Sequence, residues 1–448
     1  MASTTTPATS EPGASADGIA TRAELERRVS EAWIPFRLAV TSLGMGVLER
    51  PTSTGWTYRE LIAHAAAWED RTAERLATFR ESAATTFPGI EDADEFNAEV
   101  VRRTRGRDAR AVLGDLDAAH ARLAAELARL DDPRIQANDR WVVAIVAGNT
   151  FGHYAEHHDE LFAGVPTTTA ALIERVHEGW RPFRRAVRQL GLLPLGRTTP
   201  AGWTYKALLS HVAHWMEAVP AELPERLAGR RSAPSDVDVE NAREAAAAPS
   251  RSAGDIVERL DAAYAGVLRE LERLPGDREI PFLAVRLVAG ETYGHFAEHQ
   301  PELDGSIARG GAAVVARFDE VWRPFRAAIR QRGRAGLASP TPAGWSYRDL
   351  AAHATGWMEQ AVRELRSGEF ASWTAETIQA FNDRSVRAHQ LVGPEAMLDE
   401  LDSAHRRLRS AVVALTDEEL ADPKRFGMVG AYTFLHWEHH FAELGIPT

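Results

Sequence analysis

The chain of 448 residues contains no cysteine. It can therefore form no disulfide, hold no metal through thiolates and use no cysteine nucleophile of its own. Lysine is nearly absent as well, because Lys206 and Lys424 are the two lysines among 52 basic residues. No stretch approaches the roughly 18 consecutive apolar residues that a membrane span needs. From this last absence we expect no membrane partner.

Basic residues are too few to balance the acidic ones, and the formal net charge is −12. A protein that neutralises phosphates usually presents a basic face, and no basic run here offsets the acidity. We therefore expect no nucleic-acid partner. Residues 1–18 are small and polar, with neither the basic nor the apolar region of a secretory signal. We interpret them as a disordered tail and expect a cytoplasmic protein.

The motifs of several large enzyme classes are also missing. The sequence has no P-loop, no GxGxxG after a strand and no GxSxG. It therefore offers no visible machinery for phosphoryl transfer or for hydride transfer.

What the sequence does contain is an internal repeat. Four blocks recur three times in the same order, with a period of about 140 residues, which is the size of a domain and too long for a solenoid unit. The second block reads GWTYRELIAHAAAW, GWTYKALLSHVAHW and GWSYRDLAAHATGW. The fourth reads NTFGHYAEHHDEL, ETYGHFAEHQPEL and YTFLHWEHHFAEL. We predict three tandem domains at residues 19–165, 166–306 and 307–448.

Each repeat has the hydrophobic spacing of four α-helices. Apolar residues recur at i, i+3 and i+7 in the first of them, beginning at Trp33. The second helix begins after GWTY or GWSY, where Thr57, Thr204 or Ser346 can serve as the N-cap. Few segments alternate with the period of a strand. The sequence therefore predicts an all-α fold of three tandem four-helix bundles.

Three histidines recur at equivalent positions in every repeat, one in the second helix and an HxxxH pair in the fourth. They are His64, His153 and His157; His211, His295 and His299; and His353, His436 and His440. A single histidine on an apolar helix face is usually a packed core residue, and HxxxH pairs arise by chance. The triple, however, is unchanged in all three copies, while its neighbours differ. We favour metal ligands over packing.

Bundle geometry supports that interpretation, because side chains from facing helices surround a shared interior where metal sites are built. Three neutral imidazoles leave coordination positions open, as in catalytic sites. Imidazole suits several divalent metals, so the metal is not identified by its ligands.

Other recurring residues are candidates for a role around the metal. Asparagine recurs in a helical region and could either cap the third helix or hydrogen-bond a substrate: Asn97, Asn241 and Asn382. Glu156 and Glu298 could accept a hydrogen bond from a ligand histidine, or they could lie in solvent. The aromatic residues of the GWTY block could contact a substrate, or they could pack in the core and fix the helix start: Trp56, Tyr58, Trp203, Tyr205, Trp345 and Tyr347.

These motifs together resemble the DinB-like superfamily of four-helix bundles, three times over. The resemblance rests on GWTYRELIAHAAAW followed by GHYAEH, and the FN of DEFNAEV and AFNDRS is most similar to the ClbS/DfsB branch. In the superfamily the second-helix histidine and the HxxxH pair bind a divalent metal, which implies Zn here, with Ni, Fe and Mn as alternatives. The superfamily includes enzymes that use the thiols mycothiol or bacillithiol, so a low-molecular-weight thiol is a second implied cofactor.

Three functions follow from the resemblance and the residues. The first is a metal-dependent hydrolase that opens a cyclopropane, epoxide or aziridine in an electrophilic small molecule, for natural-product self-resistance or tailoring. The second is a thiol S-transferase or isomerase, which must take its sulfur from outside because the chain has no cysteine. The third is a protein that sequesters a toxic compound without catalysis. We expect a monomer, or a homodimer, with bundles packed on each other.

Overall fold

The computed structural model describes residues 18–85, 92–231 and 236–448. The tail predicted at residues 1–18 lies outside this part of the chain except for its last residue. Within the described ranges the regular structure is helical, with four isolated β-bridges and no β-strand. The all-α prediction is confirmed. No helix in these ranges combines the length and the apolar character of a membrane-crossing segment.

The helices follow the three repeats in order. The first repeat contains α1 (Arg22–Leu43), α2 (Tyr58–Ser82), α3 (Ala93–Thr104), α4 (Ala109–Ala128), α5 (Asp132–Asn149), α6 (Phe151–Glu156) and α7 (His158–Phe162). The second contains α8 (Thr169–Leu190), α9 (Tyr205–Leu227), α10 (Val237–Ala247), α11 (Ala253–Glu272), α12 (Phe282–Glu291) and α13 (Tyr293–Ser306). The third contains α14 (Gly311–Gln331), α15 (Gly333–Gly336), α16 (Tyr347–Ser367), α17 (Ala375–Ala388), α18 (Pro394–Val413), α19 (Asp417–Ala421), α20 (Pro423–Tyr432), α21 (Phe434–His439) and α22 (Phe441–Leu444). Short 3₁₀ helices lie at Met45–Val47, Leu193–Gly196 and Ala248–Ser250.

Contacts between Cα atoms divide the chain into two compact units. Unit 1 contains Met1–Trp180, Ala218–Ser232 and Leu268–Ala297, and unit 2 contains Arg181–Glu217, Ala233–Val267 and Glu298–Thr448. The middle repeat thus contributes segments to both units. The three domain boundaries derived from the sequence period stay a prediction.

The four main helices of a repeat meet in a common apolar core. In the first repeat Leu25 of α1, Leu76 of α2, Leu123 of α4 and Val143 of α5 are buried together. One residue from each helix therefore contributes to the same cluster, as expected for a helical bundle. Residues 137–140 interrupt α5 with a non-helical backbone.

The start of the second helix forms as the GWTY block predicts. Thr57 accepts a hydrogen bond from the Glu60 amide at 3.2 Å, and the Glu60 carboxylate accepts one from the Thr57 amide at 2.8 Å. This capping box satisfies two amides that the helix itself leaves unpaired. Gly55, before the tryptophan, has a φ of +90°, which explains the glycine of the motif. Thr204 and Ser346 also accept capping hydrogen bonds, so the N-cap prediction is confirmed in all three repeats.

Two features differ from the predicted four helices. Each repeat has an additional short helix after the second one (α3, α10 and α17), and it carries the recurring asparagine. The fourth helix is broken just before the HxxxH pair, where Thr150 has φ −128° and ψ −102°. Thr292 and Thr433 break the other repeats with nearly the same angles. Each break redirects the chain three residues before the first histidine of the pair.

Candidate metal centres

The first repeat brings its three predicted ligands together. Nε2 of His153 lies 2.8 Å from Nε2 of His64 and 3.2 Å from Nε2 of His157. His64 lies on α2, His153 lies within α6, and His157 directly follows α6. His64 and His153 are buried and His157 is partly buried. The i, i+4 spacing and the facing second helix thus produce the cluster that the sequence predicts.

The third repeat reproduces this arrangement closely. Nε2 of His436 lies 2.8 Å from Nε2 of His353 and 3.3 Å from Nε2 of His440. His353 comes from α16, and the two others lie around α21. The two clusters have almost the same distances although their neighbouring residues differ.

In the second repeat His211 and His299 lie together in unit 2, with ring centroids 5.3 Å apart. The corresponding centroids are 5.2 Å apart both for His64 and His157 and for His353 and His440. His295 lies one turn before His299 on α13 and is buried. The spacing of this histidine pair is thus the same in the middle repeat.

Burial keeps five of these imidazoles neutral. It lowers the pKa of His64 to about 4 and the pKa of His353 to about 3, and the neighbouring histidine of each set lowers these pKa values further. The pKa of His211 falls to about 4 for the same two reasons. Burial also holds the pKa values of His153 and His436 well below the usual value. At pH 7 each of these five imidazoles therefore carries a lone pair that a cation can bind without displacing a proton.

The geometry fits a shared cation better than a set of hydrogen bonds. Nitrogens about 2.1 Å from a tetrahedral zinc ion are separated by about 3.4 Å, close to the observed spacing. Each Nε2 has one in-plane hydrogen or lone pair, so His153 Nε2 cannot satisfy both of its neighbours at once. A cation would accept all three lone pairs. His64, His153 and His157, and the equivalent residues of the other repeats, are the residues that would hold it.

The recurring asparagines lie close to the second helix, where they accept hydrogen bonds from its side chains. The Asn241 Oδ1 accepts hydrogen bonds from His211 Nδ1 at 2.9 Å and from Trp215 Nε1 at 2.9 Å. Asn97 and Asn382 accept the same tryptophan bond, from Trp68 at 3.0 Å and from Trp357 at 2.8 Å. They also raise the pKa values of His64 and His353 through their side chains. In the second repeat the asparagine therefore orients a ligand histidine. Of the two roles considered from the sequence it caps no third helix, and contact with a substrate stays a prediction.

A glutamate that is not among the predicted site residues lies beside the last histidine of each set. The His440 Nδ1 lies 3.3 Å from Glu443 Oε1, and the His299 Nδ1 lies 3.3 Å from Glu302 Oε1. The His157 Nδ1 lies 3.5 Å from Glu160 Oε2. A carboxylate here favours the tautomer with hydrogen on Nδ1, which leaves Nε2 free to bind a metal.

The two glutamates predicted from the sequence lie elsewhere. Glu156 and Glu298 are exposed, because each directly precedes the last histidine and so points away from it on the helix. The acid that approaches the histidine ring is three residues after it. A catalytic role for Glu156 and Glu298 stays a prediction, and the structure gives them no contact that supports it.

The aromatic residues of the GWTY block have two different surroundings. The tryptophan rings pack near the second-helix histidine, with centroids 4.9 Å apart for Trp56 and His64 and for Trp345 and His353, and 5.1 Å apart for Trp203 and His211. The tyrosines are buried. Tyr205 and Tyr347 donate to the backbone carbonyls of Glu302 and Glu443 at 3.2 and 3.3 Å. Tyr58 has a raised pKa, mainly because of burial. The tryptophans therefore border the cluster, whereas Tyr205 and Tyr347 hold the glutamate segment in place.

The third cluster opens into a cavity of about 640 Å³. All three of its histidines line the cavity, and so do Asn382 and Glu443. The walls are largely aromatic, with Trp345, Trp357, Trp373 and Tyr432. An apolar cavity with a few converging polar groups is typical of a small-molecule site.

Comparison with known protein families gives three matched segments. The model of the DinB superfamily matches residues 30–161, which include all three histidines of the first set. The model of the mycothiol maleylpyruvate isomerase N-terminal domain matches residues 194–297 and 318–434. The first of these two segments includes His211 and His295, and the second includes His353 but ends before His436. No curated protein and no solved structure matches the chain.

Proposed function

This chain belongs to the DinB-like superfamily, and from that premise we propose that it is a metal-dependent enzyme that acts on electrophilic small molecules with a low-molecular-weight thiol. The observation that carries the proposal is the convergence of three imidazole nitrogens beside an aromatic cavity large enough for a small molecule. The family matches of the second and third repeats favour the thiol, because the matched model describes a domain of a mycothiol-dependent enzyme.

The residues of the third repeat have separate tasks in this proposal. His353, His436 and His440 would hold a divalent metal, which supplies Lewis acidity and lowers the pKa of a thiol that it binds. Asn382 would orient the His353 ring, and Glu443 would orient the His440 ring, which it contacts at 3.3 Å. Trp345 and Trp357 would pack against the apolar body of the electrophile and exclude water from it. The sulfur comes from the thiol, because the chain has no cysteine.

Hydrolytic ring opening, the first function predicted from the sequence, stays an alternative, together with a setting in natural-product self-resistance. It uses the same ligands and the same cavity, but no thiol, and its product is one water heavier than its substrate. Sequestration without catalysis is the third alternative. The cytoplasmic location and the absence of nucleic-acid and membrane partners stay part of the proposal.

One experiment separates these functions. In one reaction the zinc-loaded chain is incubated with monobromobimane, with and without mycothiol. Monobromobimane is an electrophile that becomes fluorescent when a thiol displaces its bromide. In a parallel reaction the chain is incubated with maleylpyruvate and mycothiol. We expect multiple turnovers that require both the metal and the thiol in at least one of the two reactions. Turnover without thiol would support hydrolysis, and binding that stops at stoichiometric amounts would support sequestration.

A matched pair of variants tests the ligand assignment in the same assay. The triple variant His153→Ala, His295→Ala and His436→Ala removes the central ligand of each set and should abolish turnover. His158→Ala is the control, because His158 is exposed and pairs with Asp159 at 2.9 Å instead of joining the set. Full turnover in the triple variant would contradict the proposal.

A further inference from the structure

The cavity of the third repeat is lined by a residue from the repeat before it. Arg188 lies in the last turn of α8, in the second repeat, and lines the cavity around His353, His436 and His440. It is the one arginine or lysine among the described lining residues. Its side chain is exposed and makes no hydrogen bond or ion pair with another described residue. We propose that Arg188 selects ligands with an anionic group for the third site.

The end of α8 is held firmly beside the third cluster. The amides of Leu192 and Leu193 donate to the Glu438 carboxylate at 2.7 and 3.3 Å. Glu438 also pairs with Arg317, and both side chains are almost fully buried. Glu438 lies two residues after His436 on α21. The chain segment that carries Arg188 is thus tied to the helix that carries a predicted ligand.

The other charged and titratable groups of the cavity do not neutralise the guanidinium. Glu443 also lines the cavity, and its carboxylate lies beside the His440 ring. His439 also lines the cavity, and its ring lies beside the His440 ring, with centroids 5.1 Å apart. The guanidinium of Arg188 therefore stays available for a ligand. Its planar donors match a carboxylate in a two-point contact.

The corresponding position differs between the repeats. Eight residues after the tryptophan of the WxPFR motif stand Thr41, Arg188 and Arg330. Thr41 contributes no charge, and a Cβ atom on Gly294, the residue before His295, would lie 3.1 Å from its Cγ2. Its hydroxyl accepts a hydrogen bond from Arg37 at 2.6 Å. A neutral threonine of the first repeat thus lies near Gly294 of the second repeat, whereas an arginine of the second repeat lines the cavity of the third.

The ligand class follows from these surroundings. Three tryptophans, Trp345, Trp357 and Trp373, favour a flat apolar body, and Arg188 favours a carboxylate at its edge. This inference rests on the proposed function only in taking the cavity as the place where substrate binds. It does not require the metal.

The test uses the full-length, chelator-treated protein and two probes of the same shape, 2-naphthoate and 2-naphthamide. Isothermal titration calorimetry at pH 7.5 should give one naphthoate per chain, bound about fivefold more tightly than the amide, the upper range for an exposed charge pair. Arg188→Gln should abolish this preference. Arg330→Gln is the matched control, since Arg330 has the same motif position and is also exposed, and it should leave the preference unchanged.

Equal affinity for the two probes, no naphthoate binding, or an unchanged preference in Arg188→Gln would overturn the inference. Loss of the preference in Arg330→Gln as well would also overturn it, because the effect would then not belong to the cavity. Failure of the proposed function is distinguishable: a chain without metal or turnover would still prefer naphthoate.

Discussion

Replacing Glu443 by glutamine tests how much a neighbouring carboxylate contributes to a ligand histidine. The His440 Nδ1 lies 3.3 Å from Glu443 Oε1, and the two side chains are 7% and 20% exposed. Hydrogen bonds to charged groups contribute about 1.5–3 kcal/mol, and this one is longer than the usual charge-assisted bond. We therefore place its contribution just below that range, at about 1.4 kcal/mol. This corresponds to about tenfold weaker zinc binding by the third site in Glu443→Gln.

The measurement is zinc competition with a chromophoric chelator at pH 7.5. It is made in a chain whose first and second sites are disabled by His153→Ala and His295→Ala, so that one site remains. Glu359→Gln is the control, because Glu359 is partly exposed and pairs with Arg407 at 3.0 Å instead of with a histidine. An unchanged zinc affinity in Glu443→Gln, or an equal loss in Glu359→Gln, would refute the assigned role of the carboxylate.

Two further predictions concern stability. Gly179→Ala should lower the melting temperature by several degrees, because the new Cβ would lie 2.5 Å from Tyr293 Cβ and 2.9 Å from Tyr293 Cα, and overpacking costs about 1–3 kcal/mol. The control Gly290→Ala, whose new Cβ would have nothing within 4 Å, should be neutral or stabilising. Similar melting temperatures for the two variants would contradict the packing argument. Burial, and secondarily the charge of Glu222, raises the pKa of Glu291 from 4.5 to about 7. Between these two pH values the folded chain keeps a proton that the unfolded chain loses. The free energy of unfolding should therefore fall by about 3 kcal/mol as the pH rises from 4.5 to 7, and stay low above pH 7. Glu291→Gln should flatten that pH dependence in denaturation measurements at pH 5 and pH 8, and an unchanged slope would contradict the raised pKa.

The histidine clusters could be predicted because their geometry is local or repeated. The i, i+4 spacing of His153 and His157 places both on one helix face, and recurrence in three repeats links them to His64 on another helix. The start of the second helix was equally predictable, since Thr57 and Glu60 form a capping box within four residues. Such features depend on few long-range contacts.

The contacts around the ligands were harder to predict. Asn97 lies on α3, a helix that the hydrophobic pattern does not predict. Its side chain accepts a hydrogen bond from Trp68, which lies 29 residues earlier. Glu160 could have been found, because a glutamate follows the last histidine by three residues in every repeat. Glutamates on helices usually face solvent, however, so the recurrence alone does not indicate a site. Arg188 reaches the third cavity through packing between repeats, which no local pattern encodes.

The central claim is that each histidine set binds a divalent metal, and metal content per chain tests it most directly. Elemental analysis of the zinc-loaded chain should give about three ions, one for each histidine set of the sequence. His153→Ala, His295→Ala and His436→Ala should each remove about one ion, and His158→Ala should remove none. No bound metal after zinc loading, or an unchanged content in the three alanine variants, would contradict the account.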